Sequence, residues 1–270
     1  MHRSRRSSVV LRVALGCALV LAVTGSGAPS GSSVSLASEA AGGSTYVLLQ
    51  MNLCLSGLAS CYGRVAYPAV VEEAEARIRQ TRPNAVTLNE ACEGDIDRIA
   101  RQTGYRVRFS RVVYGGRLLP CLRPGGRGLF GDAVLTRAAV VSAESREFSA
   151  QAGLERRRWL CVVTRAGVDV CTAHLAARSG VERPANDAQC GELKALLARR
   201  AASGRVIFGG DVNRRAPCAP RGLWIRTDAA AHQARGIQHV YGSRALGSPA
   251  VEVLPAAHTD HDVLVVRAHQ

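Results

Sequence analysis

The chain has 270 residues, of which 47% are hydrophobic and 21% are charged. This length allows one domain with a sizeable core, and the apolar content excludes an intrinsically disordered protein. Lysine and arginine number 35 against 21 acidic residues, a net charge of +14, which favours polyanionic partners such as nucleic acid or anionic lipid headgroups. A compositional bias towards arginine explains the charge equally well, because Lys194 is the only lysine.

The first 28 residues have the composition of a secretory signal peptide. Four arginines precede or begin an apolar run over residues 13–23, and small residues follow at 26–28. The run is too short to span a bilayer comfortably, although an uncleaved anchor is the alternative. Residues 29–44 are predicted to be a flexible leader, and residues 45–270 the folded domain. We therefore expect a secreted protein with no stable membrane insertion after signal removal.

Apolar periodicity predicts the elements of the domain. In chain order they are a strand at 45–53, a helix at 68–80, a strand at 84–89, a helix at 94–102, strands at 105–113 and 133–136, a hairpin at 158–175, a helix at 192–200, and strands at 206–209, 237–241 and 263–267. Early alternation followed by hairpins favours two mixed sheets covered by helices over one parallel sheet. The glycine-rich stretch 123–128 is predicted to be a long flexible loop, at the surface or in contact with substrate.

Eight cysteines follow the signal segment, and an even number in an exported chain indicates disulfides. Cys161 and Cys171 flank a predicted turn and would face each other across the hairpin. Cys54 with Cys61 would close a small loop. The remaining pairs, left by elimination, are Cys92 with Cys121 and Cys190 with Cys218.

Five segments place polar residues next to apolar strands. They are QMN at 50–52, TLNE at 87–90, CTAH at 171–174, GDVN at 210–213 and TDH at 259–261. A single such ending is usually a cap or a turn, but five in order along one chain are hard to explain in that way. Strand ends are rigid and open onto solvent, so they suit side chains that hold a metal ion and a phosphate group.

These segments resemble the endonuclease/exonuclease/phosphatase superfamily, which contains the DNase I-like nucleases. The similarity runs from Tyr46 to Val266, and its most specific parts are Gly-Asp-x-Asn at 210–213 and Asp-His at 260–261. The cysteine placement resembles a secreted bacterial branch. The resemblance implies an α/β fold, namely a four-layer α/β sandwich in which helices flank two mixed β-sheets, with the active site where the sheets meet.

The resemblance also implies a metal site. Glu90 would be the principal ligand, with Asn52 and Asp260 completing or orienting the shell. Hard oxygen ligands suit Mg²⁺ better than zinc, and Mn²⁺ or Ca²⁺ are further possibilities. The expected cofactor is therefore Mg²⁺.

The same resemblance assigns the catalytic and phosphate-binding groups. His261 would be the general base, because the unperturbed pKa of an imidazole suits neutral pH. Asp211 would align the attacking water or help with the leaving group. Asn213, His174 and Asn52 would bind phosphate oxygens. A protonated His174 could also assist departure of the alcohol.

Three positions depart from the superfamily pattern. Asn89 stands where Gln is usual, Asp132 where Asn is usual, and Gln238 where Asp is usual. The Asp normally accepts a hydrogen bond from the catalytic imidazole, and Gln238 could accept the bond without adding charge. Replacing such a carboxylate by an amide can cost up to about ten-thousand-fold in other catalytic systems, so we expect weaker or pH-shifted catalysis unless Asp228 or another carboxylate substitutes.

The preferred function is a secreted phosphodiesterase that cleaves DNA or RNA by in-line attack of water and acts as a monomer. Abundant arginine supports this choice, since phosphate contacts dominate nucleic-acid affinity. The best basic clusters are 156–158 and 214–215, and the first is as easily a solvated face. The alternatives are a phosphomonoesterase, a phospholipase C or sphingomyelinase-type lipid hydrolase, and a catalytically weak binding or toxin-like protein. A scarcity of aromatic residues for membrane insertion, only Trp159 and Trp224 among the tryptophans, lowers the lipid alternative.

Overall fold

A computed structural model describes residues 45–269, which build two six-stranded sheets packed face to face. The predicted signal peptide and leader lie outside the described residues. No helix within the described range is long and apolar enough to cross a membrane.

The first sheet has the strand order β14-β15-β1-β2-β6-β3. Its strands are β1 (Thr45–Asn52), β2 (Ala85–Cys92), β3 (Arg106–Arg111), β6 (Phe130–Thr136), β14 (Ser248–Leu254) and β15 (Val263–His269). β1 and β2 are parallel, whereas the other neighbours are antiparallel. The sheet is therefore mixed.

The second sheet has the order β12-β13-β11-β10-β9-β7. Its strands are β7 (Val140–Glu147), β9 (Arg158–Thr164), β10 (Val168–Ala173), β11 (Arg205–Asp211), β12 (Leu223–Thr227) and β13 (Gln238–Ser243). Here β10 and β11 are the parallel pair. A small third sheet joins β4 (Val113–Tyr114) to β5 (Arg117–Leu118) and β8 (Glu155–Arg156).

Helices cover the outer faces of both large sheets. The helices are α1 (Ala69–Thr81), α2 (Glu93–Thr103) and α3 (Arg183–Ser203). Val70 and Ile78 of α1 pack with residues of the first sheet, and Leu193 and Leu197 of α3 pack with the second. A third apolar cluster joins the inner faces of the two sheets. Two sheets between two helical layers confirm the predicted four-layer sandwich.

Two consecutive glycines of β11 allow close packing beneath the polar edge, each in a different direction. A Cβ atom on Gly209 would lie 2.4 Å from Thr87 Oγ1 in β2, so the missing side chain lets the two sheets approach each other. A Cβ atom on Gly210 would lie 2.3 Å from the carbonyl oxygen of Ala173 in β10, so this glycine lets two strands of the second sheet lie close together. The pair therefore sets the spacing of the strand ends that follow.

The four expected disulfides are the four that the structure forms, Cys54–Cys61, Cys92–Cys121, Cys161–Cys171 and Cys190–Cys218. Cys161 and Cys171 are directly opposite each other in the β9–β10 hairpin. The first disulfide closes the loop that follows β1.

The stretch 123–128 differs from the flexible loop that the glycines predict. Arg127 is buried and donates hydrogen bonds to Asp95 Oδ2 and the carbonyl oxygen of Leu55, both at 2.8 Å. Its guanidinium also lies 4.6 Å from the ring centre of Tyr67. A buried cation with several partners anchors the loop to the body of the domain.

Candidate active site

The predicted site residues come together at one edge of the two sheets. From the first sheet come Asn52 at the end of β1, Glu90 in β2, and Asp260 and His261 just before β15; from the second come His174 after β10 and Asp211 and Asn213 at the end of β11. All except Glu90 and Asn213 are buried. Four of the seven side chains therefore lie on a strand or directly after one, and the other three lie within three residues of a strand.

Glu90 projects from a bulge in β2. The register between β2 and β6 shifts between Leu88 and Ala91, so that Asn89 and Glu90 together face one residue of β6, Asp132. Glu90 has φ 53°, a left-handed conformation that non-glycine residues rarely adopt. Such conformations persist where the surrounding structure enforces them and are concentrated at functional sites. The bulge aims the carboxylate into the cleft.

Asn52 bridges two carboxylates. Its amide nitrogen donates to Glu90 Oε1 at 3.0 Å and to Asp211 Oδ2 at 3.1 Å, while its oxygen accepts the N–H of Cys54 at 3.1 Å. The last bond fixes which end of the amide is which. Asn52 therefore presents N–H groups to the cleft, which can position carboxylates or bind a phosphate oxygen. A metal ion would need the amide oxygen instead, and that oxygen already accepts the N–H of Cys54.

His261 faces two carboxylates. Its Nε2 atom lies 3.7 Å from Asp211 Oδ2 and 3.9 Å from Asp260 Oδ1. The other oxygen of Asp260 accepts a hydrogen bond from Arg64 at 2.9 Å. Both Asp260 Oδ1 and His261 Nδ1 are buried without a hydrogen-bond partner, and buried polar atoms of this kind call for an explanation. Both are available to a water molecule or to an ion.

His174 lies between two N–H donors. Arg157 Nη1 is 2.6 Å from its Nδ1 atom, and Asn213 Nδ2 is 3.0 Å from its Nε2 atom. A neutral imidazole accepts at only one nitrogen. Because the guanidinium always carries its protons, Nδ1 is the acceptor and Nε2 carries the hydrogen, while Asn213 Nδ2 donates to the carbonyl oxygen of Leu175 at 2.9 Å. The Nε2–H group then points towards Glu90 and Asp211, 3.8 and 3.9 Å away.

Arg157 is a site residue that the sequence does not single out. It belongs to the basic cluster 156–158, whose composition fits a solvated surface as well as a substrate-binding one. Its side chain is only 13% exposed and pairs with Glu155 at 2.9 Å. Its neighbours differ, since Arg156 is exposed and Arg158 pairs with Glu147 at the surface. The alternation expected of an extended segment was the signal that the middle arginine turns inward.

Burial perturbs the ionisable groups of the cleft. It raises the pKa of Glu90 to about 7, although the hydrogen bond from Asn52 and the charges of Arg157 and His261 act in the opposite direction. Burial likewise raises the pKa of Asp132 to about 7. Burial, with the positive charge of Arg157, lowers the pKa of His174 well below its usual value. The shift favours a neutral His174, which acts as an N–H donor rather than as a cationic acid.

Gln238 takes a different role from the one expected of it. Its oxygen accepts from Gln50 Nε2 at 3.3 Å, and its amide nitrogen donates to the carbonyl oxygen of Asp262 at 2.7 Å and to Asp228 at 3.4 Å. Both ends of the amide are thus used without His261. Gln238 therefore holds the backbone next to His261, through the carbonyl oxygen of Asp262, and makes no bond to the imidazole. Asp228 accepts a hydrogen bond from Gln238 and does not take over the contact with His261.

A buried polar network under the cleft joins the sheets. Asn89 accepts from Gln50 Nε2 at 2.8 Å and from the backbone N–H of Asp211 at 2.9 Å, and donates to Asp132 Oδ1 at 2.9 Å and Thr172 Oγ1 at 3.3 Å. All four hydrogen-bonding capacities of the amide are therefore used. Asn89 ties Asp211 of one sheet to the floor of the other.

The donor atoms fit a hard divalent cation. Within residues 45–269, the only groups of three His, Cys, Asp or Glu ligand atoms within 4.8 Å of one another contain disulfide-bonded cysteines, so a closed thiolate site is not formed there. Glu90 is a buried carboxylate with a raised pKa, and Asp260 Oδ1 is unpartnered. Mg²⁺ keeps several waters and needs only one or two carboxylates. The residues present satisfy that requirement.

The two-sheet fold and the acid, amide and imidazole groups at its edge define a phosphoester hydrolase of the DNase I-like class. Residues 61–261 match the endonuclease/exonuclease/phosphatase family, and the chain belongs to this family. No curated protein sequence matches the chain.

Several solved structures have the same fold. The catalytic domain of human Nocturnin with bound sulfate is 17% identical with a TM-score of 0.64, over 84% of this chain and 94% of that one. Truncated Caenorhabditis elegans TDP2 is 16% identical with a TM-score of 0.60, over 84% and 98%. D. rerio TDP2 complexed with a single-strand DNA product is 12% identical with a TM-score of 0.55, over 83% and 98%.

Proposed function

We propose that this protein is a secreted, divalent-metal-dependent phosphodiesterase that cleaves DNA or RNA by in-line attack of water. The observation that carries the proposal is that Glu90 and His261, 171 positions apart in sequence, lie in one polar cleft with Asp211 between them. A metal ligand and a candidate base can therefore act on one phosphorus atom.

Glu90 is the principal metal-holding residue in this proposal, and Asp260 contributes through its free oxygen. Bound Mg²⁺ would polarise the phosphoryl oxygens and offset charge on the leaving oxygen. A buried carboxyl with a raised pKa, such as that of Glu90, is driven to its ionised form by a cation. Asn52 holds that carboxylate in place through its N–H group.

His261 takes the proton of the attacking water. Its Nε2 atom and Asp211 Oδ2 are close enough to contact the same water molecule, because they are 3.7 Å apart. The water oxygen forms a bond to phosphorus as the bond to the leaving oxygen breaks, and the proton passes to the imidazole. Asp211 then stabilises the imidazolium. In the superfamily pattern this role belongs to the Asp that Gln238 replaces.

His174 and Asn213 bind the non-bridging oxygens, and Arg157 acts on them through His174. The Nε2–H group of His174 points into the cleft because Arg157 occupies its other nitrogen. The guanidinium places a fixed positive charge behind this donor. Preorganised donors of this kind stabilise charge that develops in the transition state.

Charge and cysteines support the rest of the proposal. The net charge is +14 for the full sequence and +10 without residues 1–28, which hold four arginines and no acidic residue (31 basic against 21 acidic), and such a charge attracts polyanions. One structure of the same fold holds a single-strand DNA product. Four disulfides are typical of proteins exposed to an oxidising compartment. These observations favour a secreted enzyme with a nucleic-acid substrate.

One observation favours a second candidate, a lipid phosphodiesterase. Four leucines that are 43–59% exposed line or adjoin the cavity beside Glu90. Leu58 lines it, Leu118 and Leu154 each precede a lining residue, and Leu122 donates its N–H to the carbonyl oxygen of a lining serine. Exposed apolar side chains at a rim can contact a membrane surface.

A substrate panel tests the proposal. The purified mature protein is incubated with Mg²⁺ and plasmid DNA, single-stranded RNA, sphingomyelin vesicles or a phosphomonoester, with His261→Ala as control. Cleavage of nucleic acid that requires both Mg²⁺ and His261 is expected. Turnover of only the vesicles or only the monoester would replace the nuclease by that alternative.

A further inference from the structure

A cavity of about 190 Å³ opens beside Glu90 and His174. Six of the residues that line it are Leu58, Tyr114, Leu119, Phe130, Glu155 and Arg157. It is smaller than the roughly 300–1,000 Å³ of pockets that enclose a drug-sized ligand. The cavity therefore has room for one ring system next to the cleft, and not for a larger part of a substrate.

The walls of the cavity are apolar and partly open to water. Leu119 and Phe130 are buried and give one rigid side, whereas Tyr114 and Leu58 are 39% and 50% exposed. Tyr114 is held by pairing of β4 with both β5 and β8. A half-exposed aromatic ring on a small sheet is available for stacking against a flat ligand.

One end of the cavity is polar. The ion pair of Arg157 and Glu155 lies there, and both side chains are largely shielded from solvent, at 13% and 23% exposure. The pair offers N–H donors and carboxylate acceptors side by side. Such a combination can hydrogen-bond the edge of a heterocycle while the apolar walls contact its faces.

We infer that this cavity is a subsite for the nucleobase next to the scissile phosphate, and that the enzyme therefore acts on single-stranded nucleic acid. This inference rests on the proposed function. A base in a duplex is stacked and paired, so it could enter only by leaving the helix at a cost of a few kcal/mol. An unpaired base enters freely and stacks on Tyr114, while exposed Arg117 and Arg156, on the strands that flank Tyr114, attract the backbone.

The test uses oligonucleotides with one cleavable linkage. A matched pair differs only in carrying a nucleotide or an abasic residue beside that linkage, and the residue is placed on the 5′ side in one pair and on the 3′ side in another. Stacking of a base on an aromatic side chain contributes about five- to 150-fold. We expect the wild type to cleave one base-bearing substrate at least about fivefold more efficiently, in kcat/KM, than its abasic partner.

Variants at Tyr114 assign the effect to the cavity. Tyr114→Ala should reduce cleavage of the base-bearing substrate to the abasic level, and Tyr114→Phe should retain the preference because the ring remains. Val141→Ala is the matched control, because Val141 is an exposed apolar residue, at 65%, on the outer strand of the second sheet. It should leave the preference unchanged.

A binding measurement gives a readout that does not depend on turnover. In the His261→Ala background, an oligonucleotide with 2-aminopurine at the favoured position should lose fluorescence on binding as the base stacks. Adding Tyr114→Ala should abolish that quenching.

The outcomes separate the subsite from the enzyme activity. Equal cleavage of base-bearing and abasic substrates by the wild type overturns the subsite and leaves the phosphodiesterase standing. Absence of both metal-dependent cleavage and quenching overturns both. Hydrolysis of sphingomyelin vesicles that falls with Tyr114→Ala would assign the cavity to a lipid and overturn the nucleobase.

Discussion

Replacing Asn89 by alanine should both unfold the protein more easily and disturb the active site. Asn89 is fully buried between the sheets, and its amide makes four hydrogen bonds. Removing it deprives Asp132 of a donor and leaves the backbone N–H of Asp211 without this acceptor. Gln50 keeps a weaker bond to Gln238 at 3.3 Å, and the hydroxyl of Thr172 can rotate to another partner.

The magnitude follows from the groups that lose a partner. A buried donor or acceptor left unsatisfied costs about 1–3 kcal/mol, and two such groups, the carboxyl group of Asp132 and the backbone N–H of Asp211, lose this partner. The expected loss is therefore about 2–6 kcal/mol. This is a large part of the roughly 5–15 kcal/mol by which domains are usually stable.

Equilibrium unfolding in urea, with the disulfides intact, measures this loss. Asn84→Ala is the matched control, because Asn84 just precedes the same strand, β2, and accepts a single bond, from the N–H of Val47 at 2.8 Å. It should cost about 1 kcal/mol. Equal losses for the two variants would show that the network under the cleft adds nothing to a single hydrogen bond.

Three further predictions concern pH, metal and a disulfide. Burial lowers the pKa of His239 to about 4, so on acidification the unfolded chain takes up a proton at this residue near pH 6.5 and the native protein does not. The free energy of unfolding should therefore fall by about 3 kcal/mol as pH drops from 7 towards 4. Guanidinium unfolding of His239→Gln should lack this part of the pH dependence. Mg²⁺ should raise the melting temperature of the wild type at pH 7.5 and should leave that of Glu90→Gln unchanged, since binding to the native state alone stabilises it; an equal shift in both would place the ion elsewhere. Replacing both Cys54 and Cys61 by serine should lower kcat for a phosphodiester, because the N–H of Cys54 fixes the amide of Asn52; unchanged hydrolysis would show that the loop holds its shape without the bond.

The candidate catalytic residues could be predicted because each follows or precedes a buried strand at a fixed spacing. Asp211 is the last residue of β11 and Asn213 lies two residues beyond it, while a single residue separates the Asp260-His261 pair from β15. Core strands have few alternative placements, so their polar ends must meet. The roles of these residues remain predictions, while their proximity is a property of the fold.

Two departures from the superfamily pattern form a pair that the sequence alone could not reveal. Asn89 and Asp132 are hydrogen-bonded to each other at 2.9 Å, so a change at one position is matched by a change at the other. Their separation in sequence hides this contact, which depends on the register of β2 and β6. The role of Gln238 was likewise misread, because other groups, those of Gln50, Asp228 and Asp262, take up both ends of its amide.

Edge strands and the first turns of α3 were missed for a physical reason. β7 and β14 lie at the edges of their sheets, and most of their residues are exposed or half-exposed. Backbone pairing with one neighbour holds them, so no apolar pattern is required. α3 begins nine residues before the predicted start, where alanine and polar residues replace the larger apolar ones.

The measurement that tests the central claim most directly combines Mg²⁺ titration calorimetry with cleavage of one oligonucleotide for the wild type, Glu90→Gln and His261→Ala. Holding the ion and activating the water are assigned to different side chains, so the two functions should separate. Glu90→Gln should lose both Mg²⁺ binding and cleavage, and His261→Ala should lose cleavage while it still binds the ion. Wild-type cleavage by His261→Ala, or wild-type Mg²⁺ binding by Glu90→Gln, would contradict the assignment.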